Sequence, residues 1–448
     1  MADKLLTAFH VWRHNLRLNL WDYNGDSRAK QHHVSAVLPR PIGKAALGPL
    51  NWGNALSGQR MTLGGSFATS GSRSDQYILE YKAARLASHA GVSFWNSGIV
   101  NNVAQALAGY TDLISGLAVT VANVALFSLQ GLITEWELDL AAGKRVIVCT
   151  EPGATNLNPA QVAAVHEYNM RLKCWADTRP GVILLDVTPV LWSPAGSGTA
   201  IAFKAGYLQP GDPTHLSPLG AYMLGKLIFA PLMRQLLPER DRAVVAAHDA
   251  YNVNPRQLAA NPLHTALTGG NTQTNVTVSS GTVPGSRNVR ADVPMSVAIM
   301  SEDVVAGDAA SGKNVILSLT NGATAGIFTY EVFSPATAYW AVDSLIETGA
   351  EVDVAANAGG AHVFLGCDIN TNNGTKQAWD MYATRGQGAG PAEAYSLSLK
   401  SEVEQPLAGA ASTGYIASAV RVALDGNASC VVKIRRMWGY LRYPAPAW

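Results

Sequence analysis

Trp21-Asp22-Tyr23-Asn24-Gly25-Asp26-Ser27-Arg28 is the stretch on which the reading of this chain turns. Apolar and polar residues alternate from Leu16 to Tyr23, with Leu16, Leu18 and Leu20 set against Arg17 and Asn19. That is the period of a strand. Gly25 ends the run, and a helical pattern begins at Ala29. A serine between a strand and a helix has two readings. It can cap the helix, since Ser is a favoured N-cap residue. It can also be an exposed nucleophile, because the strand-to-helix turns of an α/β protein are where such groups are held. The stretch alone leaves both open.

The flanking sequence supplies the frame. Residues 1–15 read as a leading helix or arm (Leu5, Leu6, Phe9, Val11, Trp12), 29–36 as a short helix, and 39–59 as a Gly/Pro/Asn-rich loop. Further strand patterns fall at 60–67, 91–96, 145–150 and 182–187. Helical patterns separate them at 75–88, 111–142 and 159–176. On the 75–88 helix, Ile78, Leu79, Ala83 and Leu86 form the expected apolar face. A last helix runs from 218 to about 237, with Ser217 as its cap and Pro218 in its first turn. Strands alternating with helices predict an α/β fold, a doubly wound, flavodoxin-like parallel sheet covered on both faces. In such sheets the site lies at the carboxyl ends of the strands. The polar turns at Gly25–Ser27, Ser70–Gly71 and Asn101–Asn102 all follow strands, so they are expected to gather along one edge.

The texture changes at Pro238-Glu239-Arg240-Asp241-Arg242, a charged break. The expected division is a first domain over 1–240, a linker over 241–275 and a second domain over 276–448. The last part alternates in short runs, at 315–319, 327–333, 362–365, 395–399 and 431–435. Asn321-Gly322, Asn373-Gly374 and Asp425-Gly426 read as hairpin turns. The prediction is an all-β sandwich or jelly roll that binds carbohydrate or mediates oligomerisation.

Composition narrows the classes. The chain has 448 residues and a formal net charge of +1. There is no electrostatic case for nucleic acid as a partner. No apolar run reaches the length of a membrane span, so no membrane insertion is expected, and the N-terminus does not read as a signal peptide. The four cysteines, Cys149, Cys174, Cys367 and Cys430, show no metal-ligand spacing. Cys149 and Cys174 are expected to fill cores, and neither a metal nor another cofactor is expected.

Ester hydrolysis needs a nucleophile, a base, a group that orients the base and donors for the oxyanion. Ser27 supplies a hydroxyl. His215 follows a Gly/Pro turn and precedes a capped helix, and Asp212 lies three residues before it. That spacing lets a carboxylate hold Nδ1–H while Nε2 faces the serine. For the oxyanion, Gly71 offers an unobstructed N–H, Asn101 a side-chain amide and Ser27 its own N–H.

These four blocks, in this order over residues 15–237, resemble the SGNH (GDSL-type) hydrolase family. The resemblance implies that Ser27 is the nucleophile, that Asp212 and His215 complete the triad, and that Ser27, Gly71 and Asn101 form the oxyanion hole. Two departures stand out. The third block is usually Gly-x-Asn-Asp, whereas here Gly98 lies one place early, Ile99 stands at the glycine position and Asn102 replaces the aspartate. Asn102 is expected to cap the helix that follows it. Arg28 stands where the name-giving motif has leucine; it is read as a surface arginine or as a substrate contact.

Several residues compete for roles. Ser66 also follows a strand and is read as structural. His32 and His33 are read as surface histidines bordering the cleft. Arg73 is read as a substrate contact or a solvated side chain, Asp26 as a brace of the turn and Asp186 as a strand-end structural residue. Tyr339, Trp340, Trp379, Tyr382, Trp438, Tyr440 and Tyr443 are candidates for stacking on sugars, with packing as the alternative.

Asn261-Pro262-Leu263, Gly269-Gly270 and Ser280-Gly281-Thr282-Val283 are similar to the junction in bacteriophage proteins that join an SGNH domain to a β domain. This second resemblance implies a virion tail-associated, trimeric esterase that removes O-acyl groups, O-acetyl above all, from a surface polysaccharide. Without a virion setting, the expected location is cytoplasmic. The competing readings are a weakly active or inactive receptor-binding virion protein on the same scaffold, and a lipase or thioesterase.

Overall fold

The run before Gly25 builds the centre of a parallel sheet. In the computed structural model, which describes residues 17–32, 43–96, 98–239, 261–304, 312–334, 345–371, 374–383, 386–404 and 415–442, β1 spans Arg17–Gly25. Its first half projects outward, with Leu18 exposed, and Trp21 to Gly25 are buried. The alternation of the sequence therefore does not mark one buried face. A strand covered on both sides buries every residue, and only the second half of β1 is so covered.

β2 (Thr62–Ala68), β3 (Ala90–Trp95), β4 (Arg145–Cys149) and β5 (Val182–Leu185) complete the sheet. The order is β2-β1-β3-β4-β5, all parallel. This is the doubly wound, flavodoxin-like order, whose switch point falls beside the first strand. On one face, Trp95, Trp136, Tyr168 and Leu172 join a core with the helices Ser74–Ala87, Val124–Ala141 and Pro159–Ala176. Phe94 meets Phe229 edge-on at 5.6 Å and His32 at 6.2 Å.

Five local expectations change. Residues 49–57 form a helix, Pro49–Ser57, inside the stretch read as loop. The 111–142 pattern divides into a hairpin, Tyr110–Thr111 with Ala118–Val119, and the helix Val124–Ala141. Asp112 accepts from the Ile114 and Ser115 amides, and that turn interrupts the helix. On Ser74–Ala87 the buried positions are Ser74, Asp75, Tyr77, Ile78 and Arg85, while Leu79 and Leu86 are exposed. Arg85 is held inward by Asp139 and Glu135, so an ion-pair network occupies ground expected of leucines. The helix from Pro218 keeps its Ser217 cap but passes through a π turn, Gly225–Phe229, before resuming over Ala230–Leu236. Cys149 is buried, whereas Cys174 is exposed rather than a core filler.

The second unit is a sandwich of two six-stranded sheets. Its strands are β6 (Asn271–Thr272), β7 (Val276–Ser280), β8 (Asn288–Ala291), β9 (Met295–Asp303), β10 (Lys313–Asn321), β11 (Gly326–Ser334), β12 (Leu345–Val354), β13 (Ala361–Thr371), β14 (Gly374–Asp380), β15 (Tyr395–Glu404), β16 (Tyr415–Leu424) and β17 (Ser429–Arg442). One sheet runs β14-β13-β16-β11-β8-β6 and the other β15-β12-β17-β10-β9-β7. Asn321-Gly322 and Asp425-Gly426 are not hairpin turns, because each joins strands of opposite sheets. The two turns lock together instead: the Asn427 amide donates to Gly322 O at 2.7 Å and the Asn321 amide to Ala428 O at 3.0 Å. At the third such signal, Asn373 lies outside the described residues.

The units also divide differently from a cut at 240. Residues 43–47 and 54–59 group with the second unit. Within it, the Lys44 amide donates to Trp379 O at 2.8 Å and the Ala46 amide to Tyr382 O at 2.7 Å. Residues 261–275 also join this unit rather than a linker: Leu263 is buried against Trp438, and β6 pairs with β8. The 1–15 arm, the 29–36 helix beyond residue 32, and residues 241–260 fall outside the described residues. No helix among those described is long and apolar enough to cross a membrane.

Candidate active site

β1 ends at Gly25, whose φ of +144° suits glycine, and Thr69 N–H donates to its carbonyl at 3.2 Å. The chain then enters a short helix, Ser27–Lys30. Asp26 is its cap, accepting from the Arg28 amide at 3.0 Å. This decides between the two readings of the opening stretch. Capping falls to Asp26, and the Ser27 hydroxyl is left for another partner.

That partner is His215, whose Nε2 lies 2.7 Å from Ser27 Oγ. Its Nδ1 lies 2.7 Å from Asp212 Oδ2. The other carboxylate oxygen accepts from the Thr214 and His215 amides at 2.8 and 2.9 Å. Partial burial works to raise the Asp212 carboxyl, but these donors, the His215 amide foremost, outweigh it and hold the group below its ordinary value. An ionised Asp212 fixes the Nδ1–H tautomer, which leaves the Nε2 lone pair to accept the serine proton.

Gly71 and Asn101 meet the same cleft, whose volume is roughly 360 Å³. Ala104, Ala154 and Leu157 contribute apolar wall, and Asn156 and Ser70 polar wall. Gly71 has φ +76°, and its amide and that of Ser27 have no acceptor among the described residues. Asn101 donates its side-chain amide to Asp26 Oδ2 at 3.3 Å and to Ser72 O at 3.1 Å. The shifted glycine of the third block has a use. At Gly98, with φ +66°, a Cβ would stand 3.2 Å from Asp26 N and 3.3 Å from Gly25 Cα. Only glycine lets this loop lie directly against the nucleophile turn.

Asn102 does not cap its own helix, Val100–Gln105. It is buried, accepts from the Ser74 amide at 2.8 Å and donates to Ser74 Oγ at 2.9 Å. It therefore pins the start of the neighbouring helix to the cleft wall. Neither arginine read as a substrate contact is free to serve as one. Arg28 is buried and paired with Glu151. Arg73 is buried, grips Asp75 through Nε at 3.0 Å and Nη2 at 2.9 Å, and lies 4.1 Å over the Tyr110 ring.

The other candidates separate cleanly. Ser66 lies within β2 opposite Tyr23, with its hydroxyl buried. His32 is wholly buried rather than at the surface, because it joins two segments: Nδ1 lies 3.0 Å from Ala29 O, and Nε2 accepts from the Leu50 amide at 3.3 Å. His33 lies outside the described residues. Asp186 accepts from Thr150 Oγ1 and Lys173 Nζ at 3.0 and 2.6 Å. Of the aromatic candidates, Trp379 stacks on Tyr382 at 4.4 Å, Trp438 is buried and Tyr440 packs against it. Tyr339, Trp340 and Tyr443 lie outside the described residues. No group of three His, Cys, Asp or Glu among the described residues is placed to hold a metal ion.

The sequence reading gives no role to Glu151, just beyond the strand pattern at 145–150. It is wholly buried beneath the cleft. A signal was available: Glu151 lies two residues past the apolar run Val146–Cys149, at the end of a buried strand, and a carboxylate buried there needs a cation.

No protein-family model matches the chain, and no curated protein matches it. Among solved structures it is similar to a lipase/acylhydrolase from Enterococcus faecalis, at 16% identity over 50% of this chain and 100% of that one, with a TM-score of 0.33. It is similar to a GDSL-like lipase from Bacteroides thetaiotaomicron VPI-5482, at 12% identity over 52% of this chain and 98% of that one, with a TM-score of 0.34. It is also similar to the CBM22-1 xylan-binding domain of Paenibacillus barcinonensis Xyn10C, at 13% identity over 35% of this chain and 87% of that one, with a TM-score of 0.22.

Proposed function

We propose that this protein is a serine ester hydrolase of SGNH type that removes short O-acyl groups, O-acetyl above all, from a polysaccharide. The observation that carries the reading is the continuous contact from Ser27 Oγ through the His215 ring to Asp212, with 2.7 Å at each step. Ser27 Oγ attacks the ester carbonyl carbon while His215 Nε2 takes its proton. The negative charge that forms on the carbonyl oxygen is met by the Ser27 and Gly71 amides and by Asn101. Collapse breaks the bond to the alcohol oxygen, which receives the proton from His215, and leaves Ser27 acylated. Water, deprotonated by His215, then attacks the acyl carbon; the bond to Ser27 Oγ breaks, Oγ takes the proton back from His215, and the carboxylic acid leaves.

The short acyl group is supported by the cleft, which is small and walled by Ala104, Ala154 and Leu157. A fatty chain calls for more apolar wall, so the lipase reading is not favoured. The receptor-binding alternative would gain from Ser27 and His215 being held apart, and their contact favours the enzyme reading over it. The glycan substrate, the trimer and the virion tail setting rest on the junction at 261–283 and remain part of the proposal. The test is acetate release from bacterial polysaccharides and turnover of p-nitrophenyl acetate. Ser27→Ala is expected to abolish both; equal rates in the two proteins would refute the assignment.

A further inference from the structure

The buried pair Arg28–Glu151 touches nearly every loop that carries a site residue. Arg28 follows Ser27 directly. Its Nη1 pairs with Glu151 Oε1, its Nη2 donates to Gly153 O, and its Nε donates to Thr214 O at 3.2 Å. Thr214 is the neighbour of His215. Glu151 Oε2 accepts from the Ile99 amide at 3.2 Å, two residues before Asn101. Glu151 Oε1 also accepts from Gly153 N at 2.8 Å. Asn169, on the helix Pro159–Ala176, holds the Glu151 backbone at both its N–H and its C=O, each at 2.8 Å. One anchored ion pair thus spans the nucleophile helix, the 98–99 turn that leads into the Asn101 helix, the 151–153 loop and the 212–215 loop.

Only a guanidinium fits this position. It points donors in three directions from one rigid plane, whereas lysine offers a single flexible point of charge. Both charges are removed from water, and neither side chain lines the cleft. Their work is done on distances between loops, not on the substrate.

Resting on the esterase reading above, we propose that Arg28 and Glu151 are positioning residues for the reaction: together they set the separation of Ser27 from His215 and from Asn101. A displacement of about 1 Å in such a constellation costs roughly a hundredfold in rate. Removing the pair therefore lowers kcat and leaves KM for a small ester nearly unchanged, because the cleft wall itself is not altered.

The test replaces the pair by apolar side chains of similar size, Arg28→Met with Glu151→Leu, since such exchanges of buried ion pairs commonly keep the fold. Glu151→Gln and Arg28→Lys accompany it in case the double variant does not fold. All are measured for p-nitrophenyl acetate kinetics, for thermal unfolding and for the downfield proton resonance of the His215 Nδ1–H in the His215–Asp212 hydrogen bond. The expected result is a folded protein with kcat lowered roughly a hundredfold, KM within a few-fold of wild type, and a shifted or lost resonance. Arg28→Lys should rescue little of the loss. A folded variant with wild-type kcat and an unchanged resonance overturns the proposal, as does a loss confined to KM. If wild type and Ser27→Ala turn over ester equally, the esterase reading has failed. The resonance still decides the positioning role: its loss in the variants sustains it and its persistence refutes it.

Discussion

Asn101 donates its side-chain amide to the Asp26 carboxylate at 3.3 Å, so the expected oxyanion donor is tied in this structure to the residue before the nucleophile. Its other amide hydrogen goes to Ser72 O at 3.1 Å. For Asn101 to meet an oxyanion, the longer and weaker bond to Asp26 is the one to give way. Asn101→Ala is therefore expected to lower kcat for p-nitrophenyl acetate by roughly a hundredfold to a thousandfold, with little change in KM. Steady-state kinetics check this, and thermal unfolding serves as the control. A change in melting temperature with kcat preserved would make Asn101 a loop tie only.

Asp26 itself predicts a pH dependence of stability. Burial raises its carboxyl to about 6 from an ordinary value of 3.8, with Arg28 opposing and Glu151 adding to the shift. A raised folded-state value means that the group's contribution is most favourable at acid pH. It is lost as the pH rises from the unfolded value through about 6. Asp26→Asn keeps an oxygen for the Arg28 amide and removes the ionisation. Compared with wild type, the variant should gain up to about 3 kcal/mol between pH 4 and pH 7. Urea unfolding at the two pH values measures it, and a constant difference would contradict it.

Much of the site was legible because it is written in local chemistry. Gly25, Gly71 and Gly98 mark turns, Asp212 and His215 sit three apart, and Ser217 caps a helix. Each of these signals depends on a few neighbouring residues. What could not be read depends on contacts distant in sequence. Arg28 looks like a surface residue until Glu151, 123 positions away, is brought beneath it. Arg85 occupies a core position only because Asp139 and Glu135 meet it there. Asn102 serves the helix that begins at Ser74 rather than its own. In the β unit, Asn321-Gly322 and Asp425-Gly426 were correctly read as turns and wrongly read as hairpins. A turn sequence fixes the local bend and not the sheet that the next strand joins.

The cysteines give a simple check on the first unit's surface. Cys174 is exposed, and Cys149, Cys367 and Cys430 are buried. Burial pushes the thiols of Cys149 and Cys367 upward, the latter to about 12. Both the thiolate and access are required for alkylation. Iodoacetamide at neutral pH should modify the native protein rapidly at Cys174 and slowly at the other three. Peptide mapping reads this directly, and rapid labelling of Cys149 would mean that β4 is not the buried inner strand described.

His32 carries the last expectation. Its Nε2 accepts from the Leu50 amide, so Nδ1, 3.0 Å from Ala29 O, must bear the proton. Such a ring is neutral. A second proton would meet the Leu50 N–H head-on, in a place wholly removed from water. Burial accordingly lowers its pKa from 6.5 to about 4, with the Ala29 and Arg28 backbone acceptors opposing in part. For a base with a lowered folded-state value, the contribution to stability is complete above the unfolded pKa and is lost as pH falls towards about 4. His32→Leu should be destabilised at pH 8, where the Leu50 amide loses its acceptor. The gap to wild type should then narrow by up to about 3 kcal/mol as the pH falls to 4. Denaturant unfolding across that range checks the narrowing, and the His32 ring proton shift in NMR should stay unchanged down to pH 5. A ring that titrates near 6.5 would show that His32 is not enclosed as described.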